Sequence, residues 1–191
     1  LPEIAATLPR ALWAHSSDTL DYATLAGKRV GVIGAGASAM DSAATALEAG
    51  ATSVDLLIRR PDLPRINKGK GAGHAGMNIG FVNLPDDWKW RIRHYLGVEQ
   101  VPAPRGSTLR VSQHKNARFN LSCPIESIDV GQNVLTVNTP KGPFELDFLI
   151  FSTGFKIDWW TRPEYANIAP HVLAWKHRKL ELTEPASQEM L

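Results

Sequence analysis

A chain of 191 residues suits one domain of ordinary size with flanking pieces, and it is long enough to bury a real core. A net charge of +2 with 21% charged residues gives no global pull toward nucleic acid or a membrane surface, so neither is expected as a partner. One cysteine, Cys123, excludes an internal disulfide framework and every multi-cysteine metal site; it reads as a small buried filler and fits a reducing compartment.

No apolar run approaches the roughly 20 residues that span a bilayer, and Leu1-Pro-Glu-Ile4 lacks the basic-then-apolar pattern of an export signal. A cytoplasmic protein is expected. The chain starts without Met and enters mid-pattern, which reads as a piece of a longer gene product.

In chain order, residues 1–26 mix prolines with short apolar groups and the polar stretch His15 to Thr19, and are expected to be an inter-domain lead-in. Arg29–Ile33 then reads as a short buried strand, Gly34 to Gly36 as a tight turn, and Ala37–Ala49 as a small-residue helix stopped by Gly50. Ser53–Ile58 is a second strand. This order is one βαβ unit, with parallel strands and a right-handed crossover.

Arg59 to Gly80 is basic and glycine-rich and is expected to be a long loop. Pro85–Leu96 has an acidic first turn and stops at Gly97, the pattern of an exposed helix. After an irregular stretch, Ile125–Val130, Val134–Asn138 and Phe144–Phe151 read as a three-stranded β-meander with polar turns between them. The expected fold is therefore α/β, a Rossmann-like parallel sheet over residues 27–155 with the meander laid against it; residues 156–191 form an extension.

The turn Gly34, Ala35, Gly36, Ala37, Ser38, Ala39 has the G-x-G-x-x-A spacing of a dinucleotide fingerprint. The first glycine permits the turn, the second lets a pyrophosphate approach the backbone, and the third small residue allows helix and strand to pack closely. The phosphates would rest on the free N–H groups of the helix start, with the Ser38 hydroxyl as a further donor. A lone fingerprint is weak, but here a strand precedes it, a helix follows and a second strand arrives on time.

At the end of that second strand, where an NAD site places a carboxylate for the ribose, stand Arg59 and Arg60, with Arg65 a short loop away. Guanidiniums pair a 2′-phosphate bidentately, so NADP(H) is the expected nucleotide. Asp55 lies too far inside the strand to serve as the ribose ligand.

These residues resemble the flavin-dependent enzymes with two dinucleotide-binding domains, including flavin-containing and Baeyer–Villiger-type monooxygenases. Lys28 to Asp41 is similar to their NADPH-domain fingerprint, and Arg59, Arg60 and Arg65 to the arginine cluster that thioredoxin-reductase relatives use. Asp147-Phe-Leu-Ile-Phe-Ser-Thr-Gly-Phe155 resembles the Asp-x-(Val/Ile)-Ile-x-Ala-Thr-Gly-Tyr segment that returns toward the flavin domain, which adds Thr153 and Gly154 to the cofactor-binding candidates. His15 to Tyr22 is similar to the tail of a monooxygenase signature, with Pro9 and Ala11 where that signature has Phe and Gly.

The resemblance implies hydride delivery from NADPH to an FAD held by a domain absent from this chain, with Phe155, Trp159 and Trp160 facing that domain or buried by self-association. Since cofactors would perform the chemistry, no catalytic acid, base or nucleophile is nominated. A disulfide reductase would need a Cys-x-x-Cys, and the rival of another class is a non-catalytic NADP(H)-sensing module acting through a protein partner.

His15, His74, His94, His114, His171 and His177 have no metal-like spacing, and no metal is expected. Lys68-Gly-Lys-Gly-Ala-Gly-His74 lacks the ordered P-loop run and reads as a surface loop. Trp88, Trp90, Trp159, Trp160 and Trp175 read as packing groups or as a surface that meets another domain.

Overall fold

A computed structural model describes residues 3–155 and 158–172. Trp175, His177 and the rest of the expected extension lie outside the described residues. The chain divides into two compact units, Leu1–Arg65 with Pro102–Gly154, and Ile66–Val101 with Phe155–Leu191.

The first unit is α/β. Its parallel sheet contains β1 (Trp13–His15), β2 (Arg29–Ile33), β3 (Ser53–Leu57), β4 (Ala117–Asn120) and β8 (Phe148–Phe151), in the spatial order β1-β8-β2-β3-β4. The antiparallel sheet is β5 (Ser127–Val130), β6 (Leu135–Thr139) and β7 (Gly142–Leu146). Helices α1 (Ala37–Glu48) and α4 (Arg105–Ser112) complete the unit.

Side chains alternate across each parallel strand and so build two cores. Val30, Val32, Val54, Leu56, Phe148 and Ile150 face α1 and α4, where Ala39, Met40, Ala43, Ala46, Leu47 and Val111 are buried. Leu57, Leu149, Phe151 and Trp13 face the other way and pack with Leu135, Val137 and Leu146 of the antiparallel sheet. The Trp13 ring meets Phe151 edge-on at 5.5 Å. The result is three layers, with the meander laid on the sheet face opposite the helices.

The βαβ unit lies where the sequence puts it. Elsewhere the structure corrects the reading. The segment expected as a lead-in supplies β1, which pairs in parallel with β8 in the register His15↔Phe151. Its three residues are too few to show a period in the sequence. The stretch expected as one strand, Phe144–Phe151, breaks at Asp147, so that β7 closes the meander and β8 joins the parallel sheet between β1 and β2. Asp147 is held at that break by Arg29: it accepts from the Arg29 backbone N–H at 2.8 Å and from Nη2 at 2.8 Å. The irregular stretch before the meander contains α4 and β4.

In the second unit, α2 (Ala75–Gly80) and α3 (Asp86–Glu99) are helical, and Lys68–Gly73 is a 3₁₀ segment. The region expected as a loop to Gly80 therefore holds a 3₁₀ turn and a short helix. Helix α3 runs past Gly97 rather than stopping there, because Gln100, at φ 60, supplies the positive-φ residue that ends it. No helix among the described residues is long and apolar enough to cross a membrane.

Candidate nucleotide-binding edge

The chain leaves β2 at Ile33, which is in register with Leu57 of β3 on one side and Phe151 of β8 on the other. Gly34 follows at φ +130, and a Cβ there would collide with the Ser152 carbonyl oxygen, so only glycine makes this turn without strain. The Gly34 N–H donates to Leu57 O at 3.2 Å and the Ser152 N–H donates to Ile33 O at 2.9 Å, which ties the end of β2 to both neighbours.

Gly36 is the N-cap of α1, at φ −80 and ψ −175, and no side chain bonds to the cap. The first turn of α1 carries no acidic residue. Among the described residues its leading N–H groups and the positive end of a 12-residue helix therefore stand unanswered at the surface, where Gly36, Ala37 and Ser38 are all exposed. A Cβ on Gly36 would meet nothing within 4 Å, whereas Ala39 is fully buried beneath the turn. The strained turn at Gly34, the open space at Gly36 and the buried Ala39 suit the spacing of the fingerprint.

Between β2 and β8 the strand order reverses: from β2 the chain proceeds to β3 and β4 on one side, and β8 lies on the other. A crevice beyond the carboxyl ends at such a switch point is where open α/β sheets take ligands. The register brings four strand ends to this edge. Gly34 follows β2, Ser152, Thr153 and Gly154 follow β8, Arg59 and Arg60 follow β3 beyond Ile58, and Ser16 follows β1. Thr153 and Gly154 are exposed, as is Arg59, while Arg60 is half-buried and its carbonyl accepts the Ser122 N–H at 2.8 Å.

Arg65 is paired locally. Its Nη2 lies 3.2 Å from Asp62 Oδ1, and the Leu63 N–H and this guanidinium together hold the Asp62 carboxyl below its ordinary value. Asp55 is buried in mid-strand and accepts from Asn120 Nδ2 at 3.1 Å with Arg118 at 3.4 Å, a cross-strand pairing to β4 and not a ribose contact. Tyr22 donates to Ser42 Oγ at 3.1 Å and so holds α1, away from the edge. His15 is buried at the end of β1, with Nδ1 2.7 Å from Ser17 Oγ, and its backbone N–H donates to Asp18 at 2.7 Å.

Sequence reasoning missed Ser152. Its hydroxyl is buried next to the Gly34 turn and has no hydrogen-bond partner among the described residues. The one available signal was Ser at the position where the resembled segment has Ala. Phe155, Trp159 and Trp160 are 62%, 41% and 67% exposed, and Trp159 packs against Tyr165 with ring centroids 4.9 Å apart.

No family model matches the chain. It is 36% identical over 179 residues to the FAD-dependent urate hydroxylase of Xanthomonas campestris pv. campestris, a match that takes in 93% of this chain and 38% of that protein. The chain thus spans less than half the length of the curated relative it matches. In fold it is similar to L-lysine 6-monooxygenase from Pseudomonas syringae, with a TM-score of 0.66, 14% identity, and 91% of this chain aligned with 47% of that one. It is also similar to an ornithine N-hydroxylase of Kutzneria sp. 744 solved with reduced FAD, NADP+ and L-ornithine, with a TM-score of 0.62, 13% identity, and 79% of this chain aligned with 42% of that one.

Proposed function

Because this chain is related to the FAD-dependent monooxygenase-like oxidoreductases, we propose that the carboxyl edge of its parallel sheet binds NADP(H), and that the whole protein passes hydride from NADPH to FAD. The observation that carries this reading is the uncapped start of α1 at the β2–β8 switch point, with open space beside Gly36. A pyrophosphate needs close backbone approach, unanswered N–H donors and positive potential, and these residues fit all three needs.

In this reading the N–H groups of Ala37, Ser38 and Ala39 and the Ser38 hydroxyl hold the phosphates, and Gly34 and Ala35 shape the turn beneath them. Arg59, one strand away, meets the 2′-phosphate, with Arg60 and Arg65 adding positive charge. Thr153 and Gly154 lie on the opposite side of the crevice, where the nicotinamide end is held. When bound, NADPH supplies the hydride; the chain itself binds, orients and excludes water. FAD binds outside these residues, and exposed Phe155, Trp159 and Trp160 face the part of the protein that carries it. Kinship with an FAD-dependent hydroxylase weighs against a non-catalytic sensing module. The name of that relative makes a planar purine such as urate the first substrate class to offer the whole protein.

Calorimetric titration with both nucleotides tests the cofactor assignment. NADPH should bind at least about tenfold more tightly than NADH, the scale of one charge-assisted contact to the 2′-phosphate. Equal affinity, or tighter NADH, would overturn it.

A further inference from the structure

Helix α3 carries Trp88, Arg91, Ile92, Tyr95 and Leu96 at the three- and four-residue spacing that makes one helical stripe. A stripe with this much apolar surface ordinarily enters a core, yet Trp88 is 53% and Tyr95 47% exposed. The other helical face supplies the anchor instead, with Trp90 buried and its ring 6.1 Å from that of His94. Across from the stripe, the segment before α3 contributes Lys68, His74 and Met77, and together these residues line an open cleft of about 410 Å³. The cleft is shallow and open to solvent on one side.

The lining has two kinds of group. Lys68 Nζ lies 5.8 Å from the Tyr95 ring centroid, and the Arg91 guanidinium 5.8 Å from that of Trp88. Lys68 is bonded to Tyr95 Oη at 3.2 Å and lies 3.7 Å from Glu99, contacts that push its pKa up and keep it charged. Arg91 has no carboxylate partner among the described residues, so its charge is available to a ligand. His74 is fixed by accepting the Met77 N–H at 3.3 Å, which steadies that wall of the cleft. Met77, Ile92 and Leu96 complete an apolar lining.

We propose that this cleft is a binding site for a planar aromatic anion. An inorganic anion would use Arg91 and leave the two rings idle, whereas an uncharged ring would leave Arg91 idle. A flat ring bearing a carboxylate or an ionised oxo group engages both sets at once. The site stands on its own side chains, and the nucleotide reading can fail without it.

The test is calorimetry of the whole chain with three probes, indole-3-carboxylate, indole-3-carboxamide and cyclohexanecarboxylate. The aromatic acid should bind in the millimolar range or better, and at least about tenfold more tightly than either the neutral amide or the non-aromatic acid. Arg91→Gln should weaken the aromatic acid and leave the amide unchanged, while Trp88→Ala should weaken both, with the far-UV circular dichroism of each variant unchanged. Saturating NADPH should leave the titration as it was. Absence of heat with indole-3-carboxylate at millimolar concentration, equal affinity for acid and amide, or displacement by NADPH would each overturn the assignment.

Discussion

At the amino edge of the parallel sheet the strand starts are tied to one another, although the buried His114 Nε2 has no partner among the described residues: Arg29 spans Asp147 and Glu145, Asn116 Nδ2 donates to the carbonyls of Ala51 and Thr52, and the Thr52 N–H donates to Lys28 O. At the carboxyl edge the same strands end in an uncapped helix start, two exposed glycines, an exposed arginine and a buried hydroxyl without a partner among the described residues. One set of strands is thus finished at one end and left open at the other. The closed end holds the architecture together, and the open end offers donors that the fold itself does not use. If the contrast is real, changes at the amino edge should alter stability and spare nucleotide binding, and changes at the carboxyl edge should do the reverse.

The largest expected effect belongs to the residue where the two properties meet. Gly34→Ala forces a Cβ into the Ser152 carbonyl at a φ that side chains avoid, and should lower unfolding free energy by about 3–4 kcal/mol in urea melts. A loss under about 1 kcal/mol would show that the turn is not as fixed as its geometry implies.

Gly36→Val should separate the two properties cleanly. Its backbone is extended and its Cβ has open space, so the melting curve should move little. NADPH affinity should fall about 100-fold or more, since the pyrophosphate loses its approach to the backbone. Retained affinity would place the phosphates elsewhere.

Smaller again is the double change of Arg59 and Arg60 to Ala. It should weaken NADPH by about 1–3 kcal/mol and leave NADH nearly as before. Equal losses for both nucleotides would mean that the arginines act on the shared part of the molecule.

The smallest effect is at the closed edge. Arg29 holds the Asp147 carboxyl below its ordinary value, through its guanidinium and its backbone N–H. A folded-state pKa below the unfolded one adds stability above the ordinary carboxylate range, and that stability disappears as pH falls through the lowered value. Asp147→Asn should therefore cost about 1 kcal/mol near neutral pH, and the gap to the native sequence should close in acid. Nucleotide affinity should be unchanged; a variant that loses binding would break the division between the two edges.

The open edge was the more legible of the two. Its glycine turn, small-residue helix and strand-end arginines are all local in sequence, and each residue type reports a backbone or charge requirement at its own position. The closed edge depends on partners far apart in the chain. Nothing near Asp147 says that Arg29 will bind it, so Phe144–Phe151 reads as one strand. Strand β4, with Arg118 and Asn120 among its four residues, and α4, where only Val111 is buried, lack the apolar period that reveals an element. The cleft on α3 is not legible because Trp88 carries the same apolar signal as the buried Trp90, and exposure is not written in a helical period.

Strand β1 precedes β2 in sequence, yet its partner β8 follows every other strand of the parallel sheet. Trp13 pairs with Leu149, and Val30 of β2 with Phe148. During synthesis β2, α1 and β3 can assemble as soon as they emerge, but one flank of β2 then waits, unpaired and apolar, until residue 151 has left the ribosome. Contacts this distant in sequence form slowly, and a waiting strand edge invites pairing with the wrong chain. The order of synthesis thus makes the arrival of β8 the event that ends the vulnerable period, and a nascent chain stalled before it should be the species that most needs a chaperone.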